Sequence, residues 1–249
     1  MTKISIITAT YNSAATLPDT LQCMEQQDYP NIEHILIDGV SKDATLEIAR
    51  GFPHLSRIYS EPDHGIYDAM NKGLRLATGD VIGILNSDDF YTHPEVLSRV
   101  MDQMERSGAD MLYADLEYVQ ALNPDRVVRH WKAGAYRHGH FLRGWMPPHP
   151  TLFVRREVYE KYGGFNTQLR LSTDYELMLR MLHRHRVPVC YLPEVIVRMR
   201  TGGVSNANFR NRWRANREDR LAWQINGLQP RFYTTYMKPL SKIGQYFRR

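Results

Sequence analysis

The chain has 249 residues, 43% of them hydrophobic, a formal charge of +5 and two cysteines, enough for one large domain or a domain with appendages around a buried core. A bilayer span takes about 20 mainly apolar residues. The most apolar stretch, 5–17, is short and broken by Thr, Asn and Ser, and the first residues read as a strand rather than a secretory leader, so a cytoplasmic protein is expected.

The first 107 residues alternate strand and helix patterns. Lys3–Thr8 is a β-rich run, and Ser13 offers a cap for a helix over Ala14–Gln27 whose regular part begins near Pro18. His34–Gly39 is a second strand, almost wholly apolar, as in a sheet covered on both faces. Asp43 precedes a short helix over Ala44–Arg50, Arg57–Ser60 is a third strand, and Ile66–Ala77 is a helix closed by Gly79. Val81–Leu85 is a fourth strand that stops at Asn86-Ser87-Asp88-Asp89, and Pro94 opens a helix to about Arg106. This order predicts βαβ units and a parallel, Rossmann-like α/β sheet flanked by helices.

From residue 108 the pattern changes. Met111–Gln120 and Val127–Lys132 form a predicted antiparallel hairpin about Asn123-Pro124-Asp125, followed by a loop over Gly134–Pro150. A strand (Thr151–Val154), a helix ended by Gly163-Gly164 (Arg156–Tyr162), a helix (Thr173–Arg184), a strand (Pro188–Met199) and an Arg-rich helix (Asn208–Asn226) complete the chain. We therefore expect a domain over 1–205, split into halves at 107/108, and a helical extension over 206–249.

Cys23 and Cys190 form neither a disulfide framework nor a CxxC pair. The pairs His138/His140 and His183/His185 have i,i+2 spacing without a carboxylate or Cys partner, which argues against zinc. No GxxxxGK[ST] or GxGxxG sequence occurs, which excludes a P-loop or a dinucleotide fingerprint.

In a parallel sheet, ligands bind beyond the carboxyl ends of the strands. The polar residues collect there: Thr8 to Asn12 after the first strand, Asp38 after the second, Asp88 and Asp89 after the fourth. Adjacent carboxylates suit a hard cation, Mn²⁺ or Mg²⁺, shared with substrate phosphates; alternatively one of them caps the Pro94 helix. Asp38-Gly39 is either a turn or an acceptor for a base N–H, and Tyr11 is either a rim aromatic or a stacking platform. Together they are the parts of a nucleoside-diphosphate site. Asp174 is favoured by the start of its helix, and is equally suited to be a general base.

The string IITATYN…LIDGVSKDAT…SEPDHGIYDAMNKGLRLATGDVIGILNSDD, continued by HPTLFVRREVYEKYGGF and STDYELMLRM, resembles family 2 glycosyltransferases of the GT-A fold. The nearest resemblance is to bacterial exopolysaccharide and O-antigen enzymes of the colanic-acid type. It implies inverting transfer of a sugar from a nucleotide-sugar donor, with a small antiparallel acceptor-side sheet beside the parallel one. Carried over by position, Thr8 and Tyr11 fall in the donor site and Asp174 is the catalytic base, with Thr173 where the family has Glu. Asp89 is the metal ligand for Mn²⁺ or Mg²⁺, and Asp88 contacts the ribose or the metal's waters. Gly39 replaces the second Asp of a DDGS-type motif, so Asp38 or Asp63 takes over base recognition. Lys72 of Asn71-Lys72-Gly73 either meets the diphosphate or is a solvated helix lysine, and His149 stands at the lip of a loop over the donor.

Two other functions use such a rim. A nucleotidyltransferase opens with a Gly-rich basic loop, which Thr8-Ala9-Thr10-Tyr11-Asn12 lacks; a catalytically silent sugar-nucleotide-binding subunit has no need of both Asp89 and Asp174.

The charge is uneven, with +9 in residues 200–249 and −4 in residues 1–199. Arg210, Arg212, Arg214, Arg217 and Arg220 share a helix with Trp213, Leu221 and Trp223. In the tail, Leu240, Ile243 and Phe247 form an apolar face between Lys238, Lys242, Arg248 and Arg249. Such a segment suits an anionic membrane surface, with a peripheral enzyme meeting a lipid-linked, polyprenyl-diphosphate glycan acceptor; a solvated face or a homodimer contact is the alternative. Nucleic acid is not expected, because the body is acidic and no nucleic-acid module is present.

Overall fold

The computed structural model describes residues 1–202, 209–234 and 237, and for 209–213 the backbone only. The tail residues named above, and the side chains of Arg210, Arg212 and Trp213, lie outside the described residues. The elements are β1 (Ile4–Thr10), α1 (Leu17–Glu25), β2 (Ile32–Asp38), α2 (Thr45–Arg50), β3 (Leu55–Ser60), α3 (Ile66–Leu76), β4 (Val81–Ile84), β5 (Phe90–Tyr91) and α4 (Val96–Ser107). The second half adds β6 (Met111–Gln120), β7 (Asn123–Trp131), β8 (Phe153–Arg155), α5 (Arg156–Tyr162), α6 (Thr173–Met178), β9 (Val189–Arg200) and α7 (Phe209–Ile225).

The sheet runs β3-β2-β1-β4-β8-β6-β9-β5, with β7 paired to β6. Strands β3, β2, β1 and β4 are parallel, as the strand–helix alternation predicts. β8 is antiparallel to both β4 and β6 and so joins the two halves; β6 and β9 are parallel, and β7 is antiparallel to β6 as expected for the hairpin.

Leu17 and Leu21 of α1 meet Leu36 and Ala49 in a small core, while the main core spans β1, β2, β4, β6 and α4 to α6. α3 lies so close over β1 that a Cβ on Gly73 would stand 2.3 Å from Cγ2 of Ile7. This approach requires glycine. The parallel strands bring Thr10, Asp38 and Ser60 side by side in register at one rim.

Three local expectations change. The helix expected over Thr173–Arg184 is α-helical only to Met178 and continues as π-helix over Leu179–Arg184, where the His185 N–H reaches back to the Arg180 carbonyl at 3.0 Å. The two-residue strand β5, too short to show a period, pairs with β9. α4 begins at Val96 with Glu95 at its N-cap and β5 intervening, so neither Asp88 nor Asp89 caps it.

Candidate functional site

Asp38 ends β2 fully buried. Its carboxylate accepts hydrogen bonds from the hydroxyls of Thr10 (3.2 Å), Ser60 (2.7 Å) and Ser41, and from the Ser41 N–H (3.0 Å). Burial alone would raise its pKa; these four donors hold it below the usual carboxylate range instead. Both oxygens are thus engaged by the fold.

Gly39 follows, and its neighbourhood answers what replaces the missing side chain there. A Cβ at Gly39 would stand 2.4 Å from Oδ2 of Asp63 and 3.4 Å from Cδ2 of Tyr11. The Asp63 carboxylate therefore occupies the space that a residue-39 side chain would fill, beside the Tyr11 ring, which is 60% exposed. Its other oxygen accepts the Gly65 N–H at 2.8 Å. Lys72 is buried on α3, and its ammonium donates to the Pro62 carbonyl (2.6 Å) and pairs with Glu61 (2.9 Å) and Asp68 (3.8 Å). It ties α3 to the segment that carries Asp63. Thr8 is buried one turn of strand earlier, its hydroxyl 3.0 Å from Nε2 of His34.

Beyond β4, Asn86 donates from Nδ2 to Oδ2 of Asp89 at 2.8 Å, yet Oδ1 of Asp89 and Oδ1 of Asn86 are buried without a hydrogen-bond partner. Asp89 is fully buried; burial, and next the adjacent Asp88, push its pKa well above the usual range, and burial raises Asp88 also. A compensating cation is built in nearby. Arg200, buried at the end of β9, donates from Nη1 to the Asp88 carbonyl at 2.8 Å and pairs through Nη2 with Asp19. Orphaned oxygens next to a carboxylate pair fit a hard divalent ion. Among the described residues no three His, Cys, Asp or Glu side chains converge, so such an ion would take its other ligands from substrate phosphate and water.

Asp174 stands in the first turn of α6, whose N-cap residue is Ser172. Oδ1 accepts the Tyr175 N–H at 2.8 Å and Oδ2 faces Nδ1 of His149 at 3.8 Å. Burial lowers the His149 pKa against the pull of Asp174. Ile84 at the end of β4, His149 and Asp174 line one crevice with Tyr159, Phe165 and Met178. The crevice sets Asp174 against the end of β4, the strand that leads into Asp88 and Asp89.

Sequence reasoning missed Tyr67, Arg200 and Glu218. Tyr67 is packed beside Asp174, and burial raises its hydroxyl pKa far above the ordinary value, with the Asp174 charge adding to it. None of the three lies in a spacing that signals chemistry, because each acts across the fold.

The mixed α/β sheet of this order is similar to that of GT-A glycosyltransferase structures. Residues 5–163 match the model of "Glycosyl transferase family 2", and the chain belongs to that family. It is an enzyme of the transferase class. It is 32% identical over 208 residues, 81% of this chain and 78% of the relative, to a "PGL/p-HBAD biosynthesis glycosyltransferase" of Mycobacterium bovis. It is 27% identical to a glycosyltransferase of Haemophilus influenzae described as uncharacterized, over 72% of this chain and 62% of that relative. Two solved structures share the fold. Residues 1–349 of S. aureus TarS in complex with UDP-GlcNAc superpose with a TM-score of 0.68 at 17% identity, over 94% of this chain and 69% of that fragment. A mannosyltransferase of Pyrobaculum calidifontis in complex with GDP-Man and Mn²⁺ gives 0.67 at 20% identity, over 98% and 69%.

Proposed function

We propose that the protein transfers a sugar, with inversion and with a divalent cation, from a nucleoside-diphosphate sugar to a hydroxyl of a polyprenyl-diphosphate-linked glycan in the assembly of a bacterial surface polysaccharide. The observation that carries the reading is Oδ1 of Asp89, a buried carboxylate oxygen with no hydrogen-bond partner just beyond β4, together with a second carboxylate, Asp174, in a crevice lined by Ile84 at the end of that strand. The solved neighbours bound to UDP-GlcNAc and to GDP-Man with Mn²⁺ support a donor of this class.

The roles in this reading are as follows. The base stacks on Tyr11, and Asp63 accepts its ring N–H in place of a residue-39 side chain. Asp38 and Lys72 brace the walls of that pocket. Asp88 meets the ribose. Asp89 would hold the cation, which offsets charge on the departing diphosphate. Oδ2 of Asp174 takes the acceptor hydroxyl proton as the oxygen attacks the anomeric carbon, and His149 lines the donor side of the same crevice. Base catalysis of this kind is worth about 10²–10⁴-fold.

On α7, Arg214 and Arg217 are exposed beside Leu221 and Ile225, and Phe232 is 87% exposed just beyond. A basic face with exposed apolar side chains supports docking on anionic lipid, where such an acceptor resides. Among the described residues no helix is long and apolar enough to cross a membrane.

The test is nucleoside-diphosphate release from a panel of UDP-, GDP-, dTDP- and CDP-sugars, with Mn²⁺ and with EDTA. Metal-dependent release that falls about 10²–10⁴-fold in Asp174→Asn, with nucleotide affinity unchanged, is the expected result. Turnover by Asp174→Asn near the wild-type rate would remove the base assignment, and pyrophosphate as the product would indicate nucleotidyl transfer.

A further inference from the structure

The segment that carries Asp174 is held from outside, by the helix after β9. A single oxygen of Glu218, Oε2, accepts three consecutive backbone N–H groups, those of Arg170 (3.0 Å), Leu171 (2.7 Å) and Ser172 (3.1 Å). The Ser172 hydroxyl donates to the Ala215 carbonyl at 3.1 Å, one turn earlier on α7. Past Asp174, Trp223 donates from its indole N–H to the Tyr175 hydroxyl at 2.9 Å, and Asn226 donates from Nδ2 to Glu176 at 2.9 Å. Residues 170–172 and 175 are thus bonded to α7 and Glu176 to Asn226 just after it, whereas the Asp174 carboxylate meets the Tyr175 N–H and faces His149.

The physical consequence concerns aim. The three amides precede α6 and have no partner within it. Hydrogen bonds to an ionised acceptor are roughly twice as strong as neutral ones, so one carboxylate oxygen fixes three successive peptide planes immediately before the base. These contacts bridge 46 to 48 positions of sequence and tie the residues just before Asp174 to α7. Misplacing a reacting group by about 1 Å costs on the order of 10²-fold in rate.

We propose that Glu218 is a positioning residue for Asp174: by gathering the Arg170, Leu171 and Ser172 amides it holds the base carboxylate in its reactive orientation. This rests on the reading of Asp174 as the base.

The experiment uses the full chain, with the donor of the panel above that the wild type turns over fastest, in Mn²⁺. Glu218→Gln keeps size and an acceptor oxygen but loses the charge; we expect kcat to fall about 10-fold, and Glu218→Ala about 10²-fold, with donor KM within twofold. Amide hydrogen exchange should rise at 170–172 in Glu218→Gln and stay unchanged in β1 and β2, which shows that the fold persists. In an Asp174→Asn background Glu218→Gln should cost nothing further, because there is no base left to aim. Glu218→Gln within twofold of wild type in kcat, or an equal loss with and without Asp174, would overturn the inference while leaving Asp174 as the base. Wild-type turnover by Asp174→Asn would overturn both, by way of the base reading itself.

Discussion

Asp89→Asn is expected to stabilise the metal-free protein and to abolish its response to metal, two effects of opposite sign from one atom. Asp89 is fully buried beside Asp88, and its Oδ1 has no partner. The amide keeps an acceptor for Nδ2 of Asn86, now 2.8 Å from the carboxylate, and removes the charge. A buried unsatisfied polar group costs about 1–3 kcal/mol, more when charged. Taking about 2 kcal/mol, and about 2–4 °C per kcal/mol for a chain of this size, the variant should melt about 4–8 °C above wild type in EDTA. With Mn²⁺ and nucleoside diphosphate at 100 times Kd the wild type gains about 2.7 kcal/mol, or about 5–11 °C, while the variant gains nothing. The wild type therefore overtakes the variant on adding ligand. Differential scanning fluorimetry in the two buffers reads the crossing directly. A variant that melts at or below wild type in EDTA would show that the carboxylate is satisfied by the protein, and an undiminished ligand shift would show that Asp89 does not hold the cation.

Three further outcomes are expected. Gly39→Ala places a methyl 2.4 Å from Oδ2 of Asp63 and must displace that carboxylate from beside Tyr11, so donor KM should rise about 10-fold with kcat little changed, measured by initial rates. His34 is buried, and burial followed by the nearby His54 lowers its pKa to about 3. The unfolded chain then binds the extra proton, so this contribution is complete above pH 6.5 and is lost as pH falls toward 3; between pH 7 and pH 5 it should cost about 2 kcal/mol in urea unfolding, a slope absent from His34→Gln. Protein truncated after Asn226 should lose binding to anionic vesicles in a sedimentation assay, and equal binding by truncated and full-length chains would refute the membrane reading.

The alternation of strand and helix over the first 107 residues was legible because each buried parallel strand is an apolar run cut off by polar residues, and the run lengths set the elements within a residue or two. What the pattern does not carry is partnership at long range. β5 has two residues and no period, so only the β9 ladder reveals it. The junction of the halves depends on β8, a three-residue strand antiparallel to both neighbours. The π-helix over Leu179–Arg184 has the apolar spacing of the α-helix it continues, and differs only in which carbonyl each amide reaches. Glu218 reads as one charge on an Arg-rich helix, since its three partners lie 46 to 48 residues away.

The site shows the same limit at the level of single atoms. Asp38 and Asp89 look alike in sequence, each an aspartate following a buried apolar strand. The fold treats them oppositely. Thr10 and Ser60 stand on the strands flanking Asp38 and Ser41 turns back onto it, so its charge is spent on holding three strand ends together. Asp89 accepts from Asn86 and lies against the Arg200 backbone and charge, yet keeps Oδ1 without a hydrogen-bond partner and has a second carboxylate for a neighbour, so burial and then Asp88 still push its pKa well up. Residue type and spacing alone do not distinguish a carboxylate met by four donors from one that keeps a bare oxygen. Nor do they show that the space left open at Gly39 is what lets Asp63 stand against Tyr11.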